Sequence, residues 1–191
     1  KSFFKEGTER RVDAILSLTG FSLVGGPAYN DSAEAVRVLT DFDVPYISAH
    51  PLEFQTLGQW AGSKQGLGPI ETTMLVALPE LDGASQPGVF AGRHDDQICQ
   101  GCERHCVGEG SRAMAPCPER VEMLADRLTK QVALRRSKVF ERRVGIVLFG
   151  FPPNAGAAGT AAYLDVFASL LNTLRAMEKD GYDVTPPKDI A

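Results

Sequence analysis

The sequence lacks several features that assign a chain to a common class of protein. It has no apolar run near the roughly 20 residues that cross a membrane, and its amino terminus has no signal-peptide pattern. Its formal net charge is only −4 at pH 7, so it lacks the basic excess of a nucleic-acid-binding protein. We therefore expect a cytoplasmic protein with no membrane span and no nucleic-acid partner.

Nucleotide-binding loops are missing as well. A Walker A loop needs a Lys after its second glycine, and neither Gly156 nor Gly159 is followed by one. The dinucleotide fingerprint needs three glycines, whereas only G-x-x-G is present at residues 156–159. Close packing of a strand against a helix explains these glycines better than a bound nucleotide.

Cysteine is absent outside one short segment. The four cysteines lie within nineteen residues, spaced C-x2-C-x3-C-x10-C, at Cys99, Cys102, Cys106 and Cys117. Clustered thiolates are the ligands of structural zinc and of iron–sulfur clusters. Because Pro118 follows Cys117, as in bacterial cluster motifs, we favour a [4Fe–4S] cluster, with Zn2+ as the alternative. Two disulfides are the remaining possibility, in a secreted domain whose leader has been removed.

Apolar patterning predicts alternating strands and helices. Strands are expected at Val12–Leu18, Val44–Ala49, Thr72–Leu78 and Val144–Phe149. Helices are expected after the Asn30–Ser32 caps as far as Phe42, and at Glu53–Ala61, Glu119–Lys138 and Thr160–Asp180. The order β-α-β-α-β indicates parallel strands joined by crossovers. The predicted fold class is α/β, an open and mostly parallel Rossmann-like sheet with flanking helices, plus a cysteine-rich metal-binding loop.

Four regions follow from this pattern. Residues 1–91 form a β-α-β-α-β half, and residues 92–118 form a cysteine-rich insertion with almost no apolar periodicity. Residues 119–184 form a helix-strand-helix half, and residues 185–191 are a linker or tail. We expect the chain to be an internal piece of a longer polypeptide.

Titratable side chains follow two of the predicted strands. Glu80 and Asp82 come after Thr72–Leu78, and His50 comes directly after Val44–Ala49. Ligands of open parallel sheets gather beyond the carboxyl ends of the strands. An imidazole and a carboxylate in one crevice would make a proton-accepting pair. The alternative is that Asp82 and Gly83 form a simple turn and that Glu80 is solvated.

Several longer segments resemble a known family. They are Gly20–Ala28, Asp43–Ile47, Val76–Gly83, Phe90–Arg93, Phe151–Asn154, Gly159–Phe167 and Asp180–Val184. These segments resemble the large, porphyrin-binding (H) subunits of magnesium chelatase and, more loosely, the large subunits of cobaltochelatase. The cysteine segment resembles the version found in proteobacteria that make bacteriochlorophyll.

The resemblance implies a part in the ATP-dependent insertion of Mg2+ into protoporphyrin IX, a step of chlorophyll and bacteriochlorophyll biosynthesis. Mg2+ is then a substrate ion. The partners implied are protoporphyrin IX, an AAA+ ATPase subunit that uses the ATP, and a second accessory subunit. A segment of such a metal–nitrogen ligase is expected to be inactive alone.

Insertion removes two pyrrole protons and strips water from Mg2+, which dehydrates reluctantly. A carboxylate near the porphyrin would serve both needs. The resemblance leads us to predict Glu80 as this catalytic carboxylate, with His50 and Glu71 as weaker candidates. His50 departs from the small or apolar residue usual in the family, which argues against a role shared by all its members. The alternative function is a non-catalytic iron–sulfur or zinc module of the same subunit, with a structural, redox or oxygen-sensing role.

Overall fold

A computed structural model describes residues 3–26, 29–95, 101–102, 104, 113–148 and 165–189. The chain divides into two compact units, residues 1–132 and residues 133–191. No helix in the described residues is long and apolar enough to cross a membrane.

The first unit is built around a four-stranded mixed sheet. Its strands are β3 (Ile15–Ser17), β4 (Tyr46–Thr56), β5 (Ser85–Arg93) and β6 (Met114–Pro116), in that spatial order. β4 lies parallel to β3 and to β5, whereas β6 is antiparallel to β5. A separate antiparallel pair, β1 (Lys5–Glu6) and β2 (Glu9–Arg10), precedes the sheet. The α/β class is confirmed, while the described sheet is mixed and has an antiparallel edge.

The crossover from β3 to β4 contains the predicted helix α1 (Ser32–Phe42). Asp31 caps it by accepting a 3.0 Å hydrogen bond from the Glu34 N–H. The helix ends at Asp43, which has a left-handed φ of 47°. Ala35 and Phe42 are the buried residues of its inner face, so the apolar stripe of the sequence located this helix correctly.

β4 is longer than predicted, because it continues through Pro51 to Thr56. Proline lacks the N–H of a regular strand residue and is tolerated where the ladder is irregular. The pairing of β4 with β5 shifts register between His50 and Pro51. His50 therefore lies within the strand, and the predicted helix Glu53–Ala61 is reduced to α2 (Leu57–Gly62).

The predicted strand Thr72–Leu78 is wrong, because these residues are helical. A continuous helical run comprises α3 (Pro69–Glu71), a π-helical segment (Thr72–Ala77) and α4 (Leu78–Leu81). Pro69 stands at the first helical position, where its missing N–H costs nothing and its fixed φ suits the helix. This local start signal outweighs the strand preference of the β-branched residues that follow.

Two clusters of buried side chains lie on the sheet. Ile47 and Ala49 of β4 pack with Leu124 of α5 (Pro118–Arg136). Leu52 and Val89 belong to the second cluster, which also contains Leu57 and Cys117. α5 confirms the helix predicted at Glu119–Lys138. Its apolar stripe therefore identified the helix that packs against the Ile47 and Ala49 face of the sheet.

The second unit contains a short 3-10 turn (Val139–Glu141) and α6 (Val166–Lys179). α6 is capped by Asp165, which accepts a 2.9 Å hydrogen bond from the Ala168 N–H. α6 confirms the helix predicted at Thr160–Asp180 over residues 166–179, and residues 160–164 lie outside the described residues. The strand predicted at Val144–Phe149 is wrong for residues 144–148, which have no strand pairing, and Val147 is 93% exposed.

Candidate functional site

One face of β4 carries a row of buried polar side chains. Tyr46, Ser48 and His50 alternate along the strand, and alternate residues share a face. The residues between them, Ile47 and Ala49, pack on the α5 side of the sheet. Each of the three polar residues is at most 4% exposed. We call Tyr46, Ser48 and His50 the polar row.

Most polar atoms of the row are unpaired within the described part of the chain. The Ser48 hydroxyl and both ring nitrogens of His50 have no hydrogen-bonding partner there, and the Tyr46 hydroxyl has only the Ser17 hydroxyl close to it. A buried polar group without a partner costs about 1–3 kcal/mol. Such groups are rare in folded proteins and mark places where water, a ligand or chemistry is involved.

His50 is enclosed by the segment that follows β3. Gly20 has a left-handed φ of +68°, and a Cβ atom on it would lie 2.6 Å from the His50 Cβ. The same position would be 3.1 Å from a methyl of Leu75, in the π-helical segment. Burial lowers the pKa of His50 from its ordinary value of 6.5, and the Glu71 carboxylate acts in the opposite direction. His50 is therefore a neutral imidazole at pH 7, with a free lone pair.

Glu71 is the carboxylate that the fold brings to His50. It is 2% exposed and lies at the end of α3. Its Oε1 accepts a 3.2 Å hydrogen bond from the Phe54 N–H, and its Oε2 accepts from the Gln55 side chain and, at 3.4 Å, from the Gly68 N–H. Because its donors come from β4 and from the start of the helix, Glu71 is held in a fixed position near His50.

Asp82 lies at the end of α4 and is completely buried. Its Oδ2 accepts hydrogen bonds of 2.7 Å from the Ser22 hydroxyl and from the Leu23 N–H. Its Oδ1 accepts one of 2.7 Å from the Asn30 side chain. Asp82 thus fastens the loop between β3 and α1 to the end of the helical run. Residues 82 and 83 form the turn considered from the sequence, and Asp82 is in addition a buried hydrogen-bonding centre.

Glu80 lies elsewhere. It is an exposed residue of α4, since the strand that was expected to present it at a sheet edge is a helix. The structure thus places His50 and Glu71 together and leaves Glu80 at the surface. Its role as the catalytic carboxylate stays a prediction.

Of the four cysteines, Cys102 and Cys117 are described and both are free thiols. Cys117 is buried beside Leu52 and Leu57, and its N–H donates a 2.9 Å hydrogen bond to the Phe90 carbonyl. Cys99 and Cys106 lie outside the described residues. Among the described residues, no group of three or more His, Cys, Asp or Glu side chains is placed to hold a metal ion. The four-cysteine site stays a prediction.

Sequence reasoning missed several buried polar groups. Tyr46 and Ser48 lie inside a predicted apolar strand, where a polar residue at every second position is the signal that marks one face. His94, just after β5, is 2% exposed, and its Nε2 has no partner within the described ranges. The one sequence signal that could have identified His94 as a candidate site residue is its position directly after β5.

Comparisons with known proteins agree with the resemblance seen in the sequence. The family model described as CobN/Magnesium Chelatase matches residues 1–191. The H subunit of the magnesium chelatase of Cereibacter sphaeroides is 59% identical over 99% of the chain, and that of Rhodobacter capsulatus is 64% identical over 91%. The chain spans only 16% and 15% of the length of these two relatives.

A solved structure has the same fold. The catalytic subunit of cobaltochelatase from Mycobacterium tuberculosis superposes with a TM-score of 0.66 and 25% sequence identity. The match covers 89% of this chain and 14% of that subunit. Sequence, fold and family model therefore agree, and the chain belongs to the CobN/magnesium chelatase family.

Proposed function

We propose that this chain is a segment of a magnesium chelatase large subunit that takes part in the ATP-dependent insertion of Mg2+ into protoporphyrin IX. The observation that carries the proposal is the 59% and 64% identity to the H subunits of two magnesium chelatases, over 99% and 91% of the chain. The partners proposed with it are an AAA+ ATPase subunit and a second accessory subunit. A cytoplasmic location is part of the same proposal.

His50 and Glu71 suit the proton chemistry of this reaction. Each Mg2+ that enters the porphyrin displaces two pyrrole protons, so the site needs a proton acceptor. Burial keeps His50 neutral, and a neutral imidazole nitrogen accepts a proton at physiological pH. The nearby Glu71 carboxylate stabilises the imidazolium that results. The proposed role of His50 is general base, and that of Glu71 is to hold and stabilise it.

Glu80 is exposed to solvent, unlike His50 and Glu71, and a hydrated metal ion can reach it. A solvated carboxylate is a hard oxygen ligand that binds Mg2+ while the ion keeps several of its waters. Glu80 is therefore proposed to act on the metal, apart from the buried pair. Separate substitutions of Glu71 and Glu80 distinguish these two roles.

The test uses the full-length subunit assembled with its partner subunits, and it follows Mg-protoporphyrin formation by fluorescence. We expect His50→Gln and Glu71→Gln to lower kcat by about 100-fold while the Kd for protoporphyrin stays within about twofold of wild type. Glu80→Gln should raise the KM for Mg2+. Glu53→Gln is the matched control, because Glu53 is an exposed carboxylate of β4.

The outcome for His50 decides the assignment. Wild-type turnover by the His50→Gln subunit would show that another group accepts the protons. A loss of protoporphyrin binding in parallel with turnover would assign His50 to porphyrin binding in place of proton transfer. If Glu53→Gln and Glu71→Gln lowered kcat equally, the buried Glu71 would have no role in the reaction that an exposed carboxylate lacks.

The cysteine segment supports a second, non-catalytic proposal. We propose that Cys99, Cys102, Cys106 and Cys117 bind a [4Fe–4S] cluster, or alternatively Zn2+, in a structural or oxygen-sensing role. Support comes from their spacing and from the free thiols of Cys102 and Cys117. Metal analysis with an absorption spectrum of anaerobically purified full-length protein is the test. Iron with a broad band near about 400 nm identifies the cluster, and about one colourless zinc per chain identifies the alternative.

A further inference from the structure

The polar row of β4 is continued on the neighbouring strand by Ser17. In the parallel pairing of β3 with β4, Ser17 and Ser48 are direct Cα partners, so their side chains point to the same face. The Ser17 hydroxyl also approaches Tyr46 and lowers its pKa, although burial of the phenol is the larger effect and raises it. Ser17 thus brings a third hydroxyl to the row.

Ser17 also connects the row to the surface. Its hydroxyl lies 3.1 Å from the Thr19 hydroxyl in a hydrogen bond that either group can donate. Thr19 is exposed to solvent. Because Ser17 pairs with Ser48, hydroxyl groups lead from the buried His50 through Ser48 and Ser17 to solvent at Thr19, and Tyr46 lies beside Ser17.

We propose that Ser17, Tyr46, Ser48 and internal water form a route that carries protons from His50 to solvent at Thr19. This inference rests on the proposed function, in which His50 accepts the protons released by the porphyrin. Ser17, Tyr46 and Ser48 are positioning residues, since they act through water and through His50.

The polar atoms of the row do not hydrogen-bond to one another, so a proton passing between them needs a bridging group. Water is the bridge that we propose, since a water between two polar groups is nearly as favourable as a direct hydrogen bond. Buried waters bind polar groups that the protein leaves unpaired. The row offers three such atoms without any partner, the hydroxyl oxygen of Ser48 and the two ring nitrogens of His50.

The chemistry balances for each proton. One ring nitrogen of His50 takes a pyrrole proton and forms imidazolium, and the other nitrogen releases its own proton to a water of the row. The imidazole is then neutral but in its other tautomer, with the accepting nitrogen protonated. A flip of the ring returns an unprotonated nitrogen to the porphyrin side before the second proton is taken. Burial favours this return to the neutral form. Asp82 acts on the Tyr46 end of the row, where its negative charge favours the passage of a proton.

The kinetic test uses Ser48→Ala and Tyr46→Phe in the full-length subunit with its partner subunits. Single-turnover formation of Mg-protoporphyrin is measured in H2O and in D2O. We expect each variant to slow the step by about tenfold and to increase its solvent isotope effect, with the Kd for protoporphyrin unchanged. Ser169→Ala is the control, because Ser169 is a half-buried serine whose hydroxyl donates to the Asp165 carbonyl within α6.

Rates and isotope effects equal to those of wild type in Ser48→Ala and Tyr46→Phe would overturn the route, as would an equal loss in the Ser169→Ala control. This failure is distinct from failure of the proposed function. Wild-type chelation by His50→Gln removes the proton acceptor itself, whatever the result for Ser48.

A high-resolution crystal structure of the full-length subunit gives an independent readout. We expect ordered waters within hydrogen-bonding distance of the Ser48 hydroxyl and of a His50 ring nitrogen, joined in a file that reaches Ser17. Side chains that hydrogen-bond directly to both Ser48 and His50, in place of water, would overturn the proposal.

Discussion

At the scale of the residue, both backbone conformation and close packing require glycine at position 20. Gly20 combines a φ of +68° with a position that places any Cβ 2.6 Å from the Cβ of His50. We expect Gly20→Ala to lower the free energy of unfolding by about 2–4 kcal/mol, since left-handed strain and overpacking add. Urea denaturation measures the change.

Gly26 provides the matched control for Gly20. Its φ is +74°, and a Cβ there would meet no atom within 4 Å. Gly26→Ala should therefore cost only the backbone strain, about 1–2 kcal/mol. Equal losses in the two variants would mean that Gly20 does not pack closely on His50.

The titration of His50 makes the free energy of unfolding depend on pH. Burial lowers its pKa in the folded state below the ordinary 6.5, with Glu71 opposing the shift. Between these two pKa values the unfolded chain binds more protons than the folded chain, so stability rises with pH. The contribution is fully present above pH 6.5 and is lost as pH falls through the pKa of folded His50.

We therefore expect His50→Gln to flatten the pH dependence of the free energy of unfolding below pH 6.5. The measurement is urea denaturation of both proteins at several pH values between about 5 and 8. A slope unchanged by the substitution would show that His50 titrates alike in the folded and unfolded chains. Direct NMR titration of the His50 ring would give its pKa independently.

At the scale of the element, Asp82 joins the loop between β3 and α1 to the end of α4. Its carboxylate accepts from Ser22, Leu23 and Asn30, each at 2.7 Å. We expect Asp82→Ala to lower the free energy of unfolding by about 2–4 kcal/mol, because it leaves buried donors unpaired. Asp82→Asn should cost less, since the amide oxygen still accepts.

Asp41→Ala is the control for Asp82, measured in the same denaturation series. Asp41 pairs with Lys5 at 2.8 Å and is 46% exposed, and such surface pairs contribute about 0–1 kcal/mol. A loss for Asp82→Ala no larger than that for Asp41→Ala would mean that the loop is not held by Asp82.

The helices show how far periodicity alone can predict elements. α1, α5 and α6 were located from apolar stripes and caps, because those signals lie within the helix itself. Residues 72–78 of the helical run were misassigned to a strand because of their β-branched residues. Its helical start signal is Pro69 at the first position with Glu71 two residues later.

The candidate site was predictable only in part. His50 and Glu71 were both selected from the sequence, yet the partner expected for His50 was Glu80 or Asp82. Their association depends on a helix that returns Glu71 to β4, and no local pattern encodes that return. The polar row was missed because the burial of Tyr46 and Ser48 depends on tertiary packing, which no local sequence pattern encodes.

At the scale of the whole molecule, this chain corresponds to a small part of its much longer relatives. It spans 16% and 15% of two magnesium-chelatase large subunits. Residues 144–148 are an apolar run that is typical of a buried strand, yet they are exposed in this chain. Val144 is 54% exposed and Val147 is 93% exposed.

Val147→Lys tests the exposure of this run within the chain. Since nearly all of the Val147 side chain is exposed, we expect the substitution to change the free energy of unfolding by less than about 0.5 kcal/mol. It should also reduce self-association, measured by light scattering, because a charge interrupts an exposed apolar patch. Val89→Lys is the contrast, since Val89 is 8% exposed in the core and should cost more than about 3 kcal/mol. A comparable loss at Val147 would mean that the run is buried in the chain in solution, as the strand predicted from its sequence would be.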